Sequence, residues 1–146
     1  MGRIVTFDPG ACTGWAVFKD TECLGAGIVY ELRQLTLTTS TTLVIIEKPL
    51  IYSLDSKGDP NDLIKLAIRA GELGGYAKNL DIPIQYVTPR KWKGTTPKHI
   101  SHRRILAKLS DTETQRLPKL PKSKAHNMLD AVGIGLWWLE KGGLRP

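Results

Sequence analysis

The sequence predicts one α/β domain on a five-stranded mixed sheet, an antiparallel meander of strands 1–3 and then parallel strands 4–5, flanked by helices. Three observations carry this. Short β-branched runs joined by tight turns fill the first third of the chain. Strand and helix patterns alternate after it, which favours parallel pairing. The 146 residues, 41% apolar and 24% charged, suffice for one core and not two.

Arg3–Asp8 (RIVTFD) is β-branched and apolar and reads as a strand, broken by Pro9-Gly10. Thr13–Lys19 reads as the second, with Trp15, Val17 and Lys19 alternating against Gly14, Ala16 and Phe18. Cys23–Leu32 reads as the third. Residues 33–42 are Thr-rich and ambiguous, and a short helix there has little support. Leu43–Glu47 is a continuous apolar run, as expected of a strand buried on both faces, and Pro49 ends it. Residues 50–59 read as a loop. Asp59-Pro60 then supplies an acidic N-cap and a first-turn proline, and Leu63, Leu66, Ala67, Ala70, Leu73 and Ala77 keep helical spacing to about Asn79. Ile82–Val87 is the fifth strand. Lys98–Leu109 is a basic amphipathic helix, with Ile100, Ile105, Leu106 and Leu109 on its apolar side. Ser110–Lys124, with Pro118, Pro121 and several lysines, reads as a mobile linker or flap. Ala125–Lys141 is a final apolar helix, stopped by Gly142-Gly143.

Charge is unevenly placed. The chain holds 21 Lys and Arg against 14 Asp and Glu, a formal +7. Residues 88–126 alone hold 11 basic and 2 acidic side chains. One basic block on a near-neutral body is the electrostatic footprint of a polyanion binder. No run approaches the ~18 apolar residues of a membrane span. Met1–Val5 enters a strand pattern directly, so no signal peptide is expected. Cys12 and Cys23 have no metal or disulfide spacing, which fits a reducing, cytoplasmic compartment.

Three acids stand where apolar segments should have none. Asp8 and Glu47 end apolar strands, and Asp130 lies in a helix otherwise apolar from Met128 to Leu139. Each has a plain explanation alone: a turn cap, a lysine partner, a solvent face. If the two strands are neighbours and the helix crosses them, the three converge. Converged carboxylates repel unless divalent cations neutralise them, and oxygen ligands select hard ions such as Mg²⁺ or Mn²⁺. Asn127 and His126, at i−3 and i−4 of Asp130, share its helix face and offer a further ligand or a water-orienting group. Gly10 and Gly14 are expected to turn the backbone sharply after Asp8, leaving Thr13 placed to meet a phosphate oxygen.

DPGACTGWAVF from Asp8, VIIEKP from Val44, VTPRKWKG from Val87 and HNMLDAVGIGLWW from His126 together resemble the RuvC-type Holliday junction resolvases, particularly the small phage-encoded ones. The resemblance spans nearly the whole chain in order. It implies an RNase H-like fold, a homodimer, and Mg²⁺- or Mn²⁺-dependent nicking of branched DNA, with Asp8, Glu47 and Asp130 as catalytic carboxylates. The family often has another acid at i−3 of the last Asp. Here that place holds Asn127 with His126 beside it, so the second metal site is completed by one or the other. The expected mechanism is two-metal phosphodiester hydrolysis, Asp8 lying between two ions roughly 4 Å apart. On this reading Glu47 serves one ion, and Asp130 with His126 or Asn127 serves the other.

The basic block then supplies the DNA path. Arg90, Lys91, Lys93 and Lys98 follow a strand end, Arg103 and Arg104 hold phosphates, and Lys119, Lys122 and Lys124 form a flap. Trp92 among them either stacks on a base at the branch point or is a core or dimer-contact residue. Two symmetric cuts need two sites about a two-fold axis, and the helix 60–79 with the loop 50–59 is the expected dimer surface, Gly71, Gly74 and Gly75 allowing close approach. Three other readings compete: an RNase H-like enzyme on other branched or RNA-containing substrates, a non-catalytic DNA-binding module, and an actin-like ATPase. The last needs two such domains.

Overall fold

The computed structural model describes residues 2–50 and 59–146. The strands are β1 (Arg3–Asp8), β2 (Thr13–Lys19), β3 (Glu22–Val29), β4 (Thr41–Glu47) and β5 (Ile84–Val87). The helices are α1 (Pro60–Asn79), α2 (Pro89–Lys93), α3 (Lys98–Lys108), α4 (Asp111–Gln115) and α5 (Lys122–Lys141). The sheet order is β3-β2-β1-β4-β5. β1, β2 and β3 form the antiparallel meander, while β1–β4 and β4–β5 pair in parallel. The mixed sheet expected from the sequence is therefore the one observed.

Helices cover both faces. α5 packs on one, burying Met128, Val132, Ile134, Leu136 and Leu139 against Ala16, Phe18 and Ile45. α1 covers the other through Ala70, Leu73 and Ala77 against Val5, Phe7, Val44 and Ile46. β4 lies between them with Val44, Ile45 and Ile46 fully buried, which is why its sequence is an unbroken apolar run. α1 starts as its sequence signals: the Asp59 side chain accepts from Asn61 N–H, and Pro60 takes the first turn.

Two local readings are corrected. The third strand, expected to run to Leu32, ends at Val29, and a 3₁₀ turn at Leu32–Gln34 leads into the ambiguous stretch. The expected flap, Ser110–Lys124, is folded onto the body instead. Ser110 and Glu113 form a reciprocal capping box that starts α4, and Leu117 and Leu120 pack against the core. Glu113 is buried, accepts from Cys23 N–H at 2.7 Å, and takes both arms of Arg145 at 2.8 Å. α5 consequently begins at Lys122, one turn before its apolar pattern. No helix among the described residues is long and apolar enough to cross a membrane.

Candidate active site

Strand geometry brings the first two acids together. Side chains alternate along a strand, so residues two apart share a face. Ile4 and Thr6 of β1 face α5, and so does Asp8. Leu43 and Ile45 of β4 face α5, and so does Glu47. Phe7 pairs with Ile46 in the parallel register, which makes Asp8 and Glu47 neighbours at the C-terminal ends of adjacent strands. α5 brings the third. The Thr6 hydroxyl donates to the Ala131 carbonyl at 2.6 Å and ties the helix to β1 one residue from Asp130.

Gly14 makes that approach possible. A Cβ there would collide with the Asn127 carbonyl oxygen, so the close passage of α5 over β2 requires glycine. The sequence reading gave Gly10 and Gly14 a turning role. Neither adopts a positive φ, and Gly14 acts through space.

All three carboxylates are sheltered, Asp8 at 7% and Asp130 at 5% exposure. Burial raises the Asp8 carboxyl well above the usual range. The negative charges of Glu47 and Asp130 raise it further, against Lys93 and Lys98. Glu47 is raised too, first by burial. The Trp92 N–H and the Lys93 charge oppose this, the Asp130 charge adds to it, and a hydrogen bond shared with Asp8 lowers it. Burial and neighbouring negative charge both work against full ionisation of the cluster.

Two groups hold Asp130. His102 Nε2 lies 2.9 Å from one oxygen, and Lys93 Nζ lies 3.8 Å from the other. Trp92 donates its indole N–H to Glu47 at 2.6 Å. Trp92 is only 8% exposed and packs beside Gly133 and Ile105, which corrects the stacking expectation: its ring is core and its polar edge serves Glu47. Trp92→Phe should therefore lower stability by about 1–3 kcal/mol, the worth of a hydrogen bond to an acidic group. Urea unfolding checks this, and an unchanged midpoint would mean the bond contributes nothing.

The other predicted residues are placed as follows. His126 is half-buried. Burial and the Lys98 charge lower its imidazole, Asp130 and a hydrogen bond with the Lys122 backbone raise it, and His102 adds to the lowering. Asn127 is half-buried and supplies the backbone that Gly14 accommodates. Thr13 is corrected: it is 1% exposed and its hydroxyl donates to Gly10 O at 2.9 Å, closing the turn and leaving nothing for a phosphate. Lys93, expected on a DNA path, turns inward because the carboxylates attract it, and lies over the Trp92 ring at 5.2 Å. Arg90, Lys91, Lys98, Arg103, Arg104, Lys119, Lys122 and Lys124 are exposed. Lys98 faces Asp8 and His126 electrostatically, and Lys124 lies 5.1 Å over the Tyr30 ring. Of the expected dimer surface, residues 51–58 lie outside the described residues. α1 exposes Ile64 and Ile68, with open space beside Gly71 and Gly75, while Gly74 faces Tyr86 and the sheet.

Sequence reasoning missed His102. Its signal was its place in the α3 stripe, three before Ile105 and seven before Leu109, both buried.

The donor chemistry suits a hard divalent cation: carboxylate oxygens that burial first, and neighbouring negative charge after it, raise at Asp8 and Glu47, with an imidazole one helical turn from Asp130. Among the described residues, no three such side chains are yet closed into a ready-made metal group. In this arrangement Lys93 and His102 are the groups set against Asp130.

No protein-family model matches the sequence, and no curated protein matches it. Solved structures do. RuvC of T. thermophilus in complex with a Holliday junction substrate superposes with a TM-score of 0.67 at 15% identity, over 99% of this chain and 98% of that one. Another structure of Thermus thermophilus RuvC gives 0.57 at 15% identity, over 98% of both chains. The chain has the RNase H-like fold of RuvC over its whole described length.

Proposed function

We propose that this protein is a structure-selective endonuclease that resolves four-way DNA junctions by paired symmetric nicks, using divalent cations for phosphodiester hydrolysis. One observation carries the reading: carboxylates at the C-terminal ends of the neighbouring strands β1 and β4 and on α5 lie within one another's fields, beside a basic face. The fold shared with a RuvC bound to a Holliday junction substrate supports it. So do the motifs quoted above, which resemble the small phage-encoded type, whose place is the cytoplasm of a bacterial host.

Held by Asp8, Glu47 and Asp130, with His126 or Asn127 as a further donor, the cations (two per site on this reading) would lower the pKa of the attacking water and neutralise charge on the departing 3′-oxygen. The chain's own residues do the rest. Asp8 and Glu47, both raised first by burial, must be ionised for that task. Trp92 fixes the Glu47 carboxylate from the core side. His102 and Lys93 fix Asp130. Exposed Arg90, Lys91, Lys98, Arg103 and Arg104 on and beside α2 and α3 hold backbone phosphates, which positions a strand without reading sequence. A second copy would supply the symmetric cut, and the exposed Ile64 and Ile68 of α1, at 56% and 59%, support that helix as its contact.

The test compares labelled four-way junction, fork, linear duplex and RNA–DNA hybrid, each with Mg²⁺ and with EDTA. Paired nicks in the junction, lost in EDTA, are expected. If four to six phosphates are neutralised, the slope of log affinity against log salt should be about −4 to −5. Cutting of the hybrid alone would move the protein to RNA-containing substrates. Tight binding without cleavage would leave a binding module. A flat salt response would remove the basic face from the scheme.

A further inference from the structure

We propose that His102 is a positioning residue whose ring holds Asp130 in the orientation a divalent cation needs. The inference rests on the nuclease reading in treating Asp130 as a ligand, and goes beyond it by naming a group that acts through Asp130. A carboxylate only accepts hydrogen bonds, so the Nε2–H donates to Oδ1 across 2.9 Å. Among the described residues, the cation nearest the other oxygen is Lys93, 3.8 Å away, as a charge and not a donor in contact. One oxygen is thereby fixed and the second stays available. The hold comes from another helix, α3, so it sets the carboxylate torsion independently of α5.

The ring is itself well placed for this. Its side chain is 15% exposed, and α3 is anchored by Ile105 and Leu109 in the core. Residues that hydrogen-bond a metal ligand orient it, and their loss typically weakens metal binding or activity by about 10–100-fold. Arg103 and Arg104 follow directly on the exposed side, so one helix carries both a phosphate-holding face and the support of a metal-binding acid.

The experiment uses the full chain as wild type, His102→Leu and His102→Gln, the Gln amide keeping an N–H donor. Ca²⁺ affinity is measured calorimetrically without DNA. Single-turnover cleavage is measured on saturating four-way junction with Mg²⁺, and junction affinity in EDTA. For His102→Leu, both Ca²⁺ affinity and single-turnover rate should fall about 10–100-fold, junction affinity should stay within about twofold, and His102→Gln should recover most of the loss. Unchanged Ca²⁺ affinity in folded His102→Leu overturns the proposal. So does a His102→Gln protein no better than His102→Leu. If His102→Leu does not fold, His102→Gln decides: near wild-type affinity supports the donor role, and a loss as large as that of Asp130→Asn overturns it. A wild type that binds Ca²⁺ but cuts nothing sinks the nuclease reading and leaves the Ca²⁺ arm to judge His102. A wild type that binds no cation overturns both.

Discussion

Asp8→Asn should abolish junction cleavage, by about three orders of magnitude or more, while junction affinity holds or tightens. Asp8 is at the centre of the carboxylate group, within the field of both Glu47 and Asp130. An amide at that position cannot supply an anionic ligand, yet it fills the same space. Binding to the basic face loses one repelling negative charge. The same substitution should raise the melting temperature in EDTA at neutral pH. The Asp8 carboxyl is raised in the fold, so the folded state holds its proton more tightly than the unfolded chain does. Its contribution is favourable below the unfolded value near 4 and is lost as pH rises through the folded value. Asn carries no such pH dependence, so the variant's advantage should widen from pH 4 to pH 8. Each kcal/mol relieved raises the melting temperature by about 3 °C in a chain of this size. Added Mg²⁺ should narrow the gap, because it stabilises only the ionised wild type. Full nicking by the variant would end the carboxylate scheme.

Arg145→Met should destabilise the fold by about 3–5 kcal/mol, roughly 10 °C, without changing cleavage per folded molecule. Arg145 also donates to the Thr21 carbonyl at 2.9 Å and the Lys108 carbonyl at 2.7 Å, so it joins the β2–β3 turn, the end of α3 and α4. Its loss leaves Glu113, with a side chain 3% exposed, as an acid without its cation. Burial alone would raise the Glu113 carboxyl. The Arg145 hydrogen bonds and the backbone N–H groups of Ser110 and Cys23 outweigh this and bring it from 4.5 to about 2. A depressed acid contributes stability that is present above its unfolded value and lost as pH falls through the folded one. The wild type should therefore lose about 3 kcal/mol from this group between pH 4.5 and 2. Arg145→Met should show a flatter acid limb in urea titrations. A wild-type acid limb equally flat there would mean that Glu113 is not held as described.

The three carboxylates were legible because apolar strands and helices do not end in or enclose acids without a reason, and period-2 alternation put Asp8 and Glu47 on one face. The parallel half of the sheet was legible because strand and helix patterns alternate there, and the apolar run of β4 marked a strand buried on both faces. His102 was hidden by its company: KHISHRR reads as a basic surface until the buried Ile105 fixes which side is inward. Trp92 stayed open between base stacking and a core role because α2 has five residues, too few for a period to show its inner face. The folded 110–124 stretch looked like a linker because its prolines and lysines dominate. Its Ser110-x-x-Glu113 capping box was readable in the sequence, but the pairing of Glu113 with Arg145 depends on contact across 32 residues.

The distance along the chain between Asp8 and Asp130 has a consequence for synthesis. Proteins leave the ribosome N-terminal end first. The β1–β2–β3 meander emerges with Asp8 but with neither of its acidic partners, and β4 adds Glu47 while one sheet face is still bare. Asp130 comes with α5, the last helix, and the Arg145 contacts that close the α3–α4 side come after it. A nascent chain that lacks α5 therefore has no assembled carboxylate cluster. On the proposed function, the chain cannot cut nearby nucleic acid until α5 has emerged and packed on the sheet.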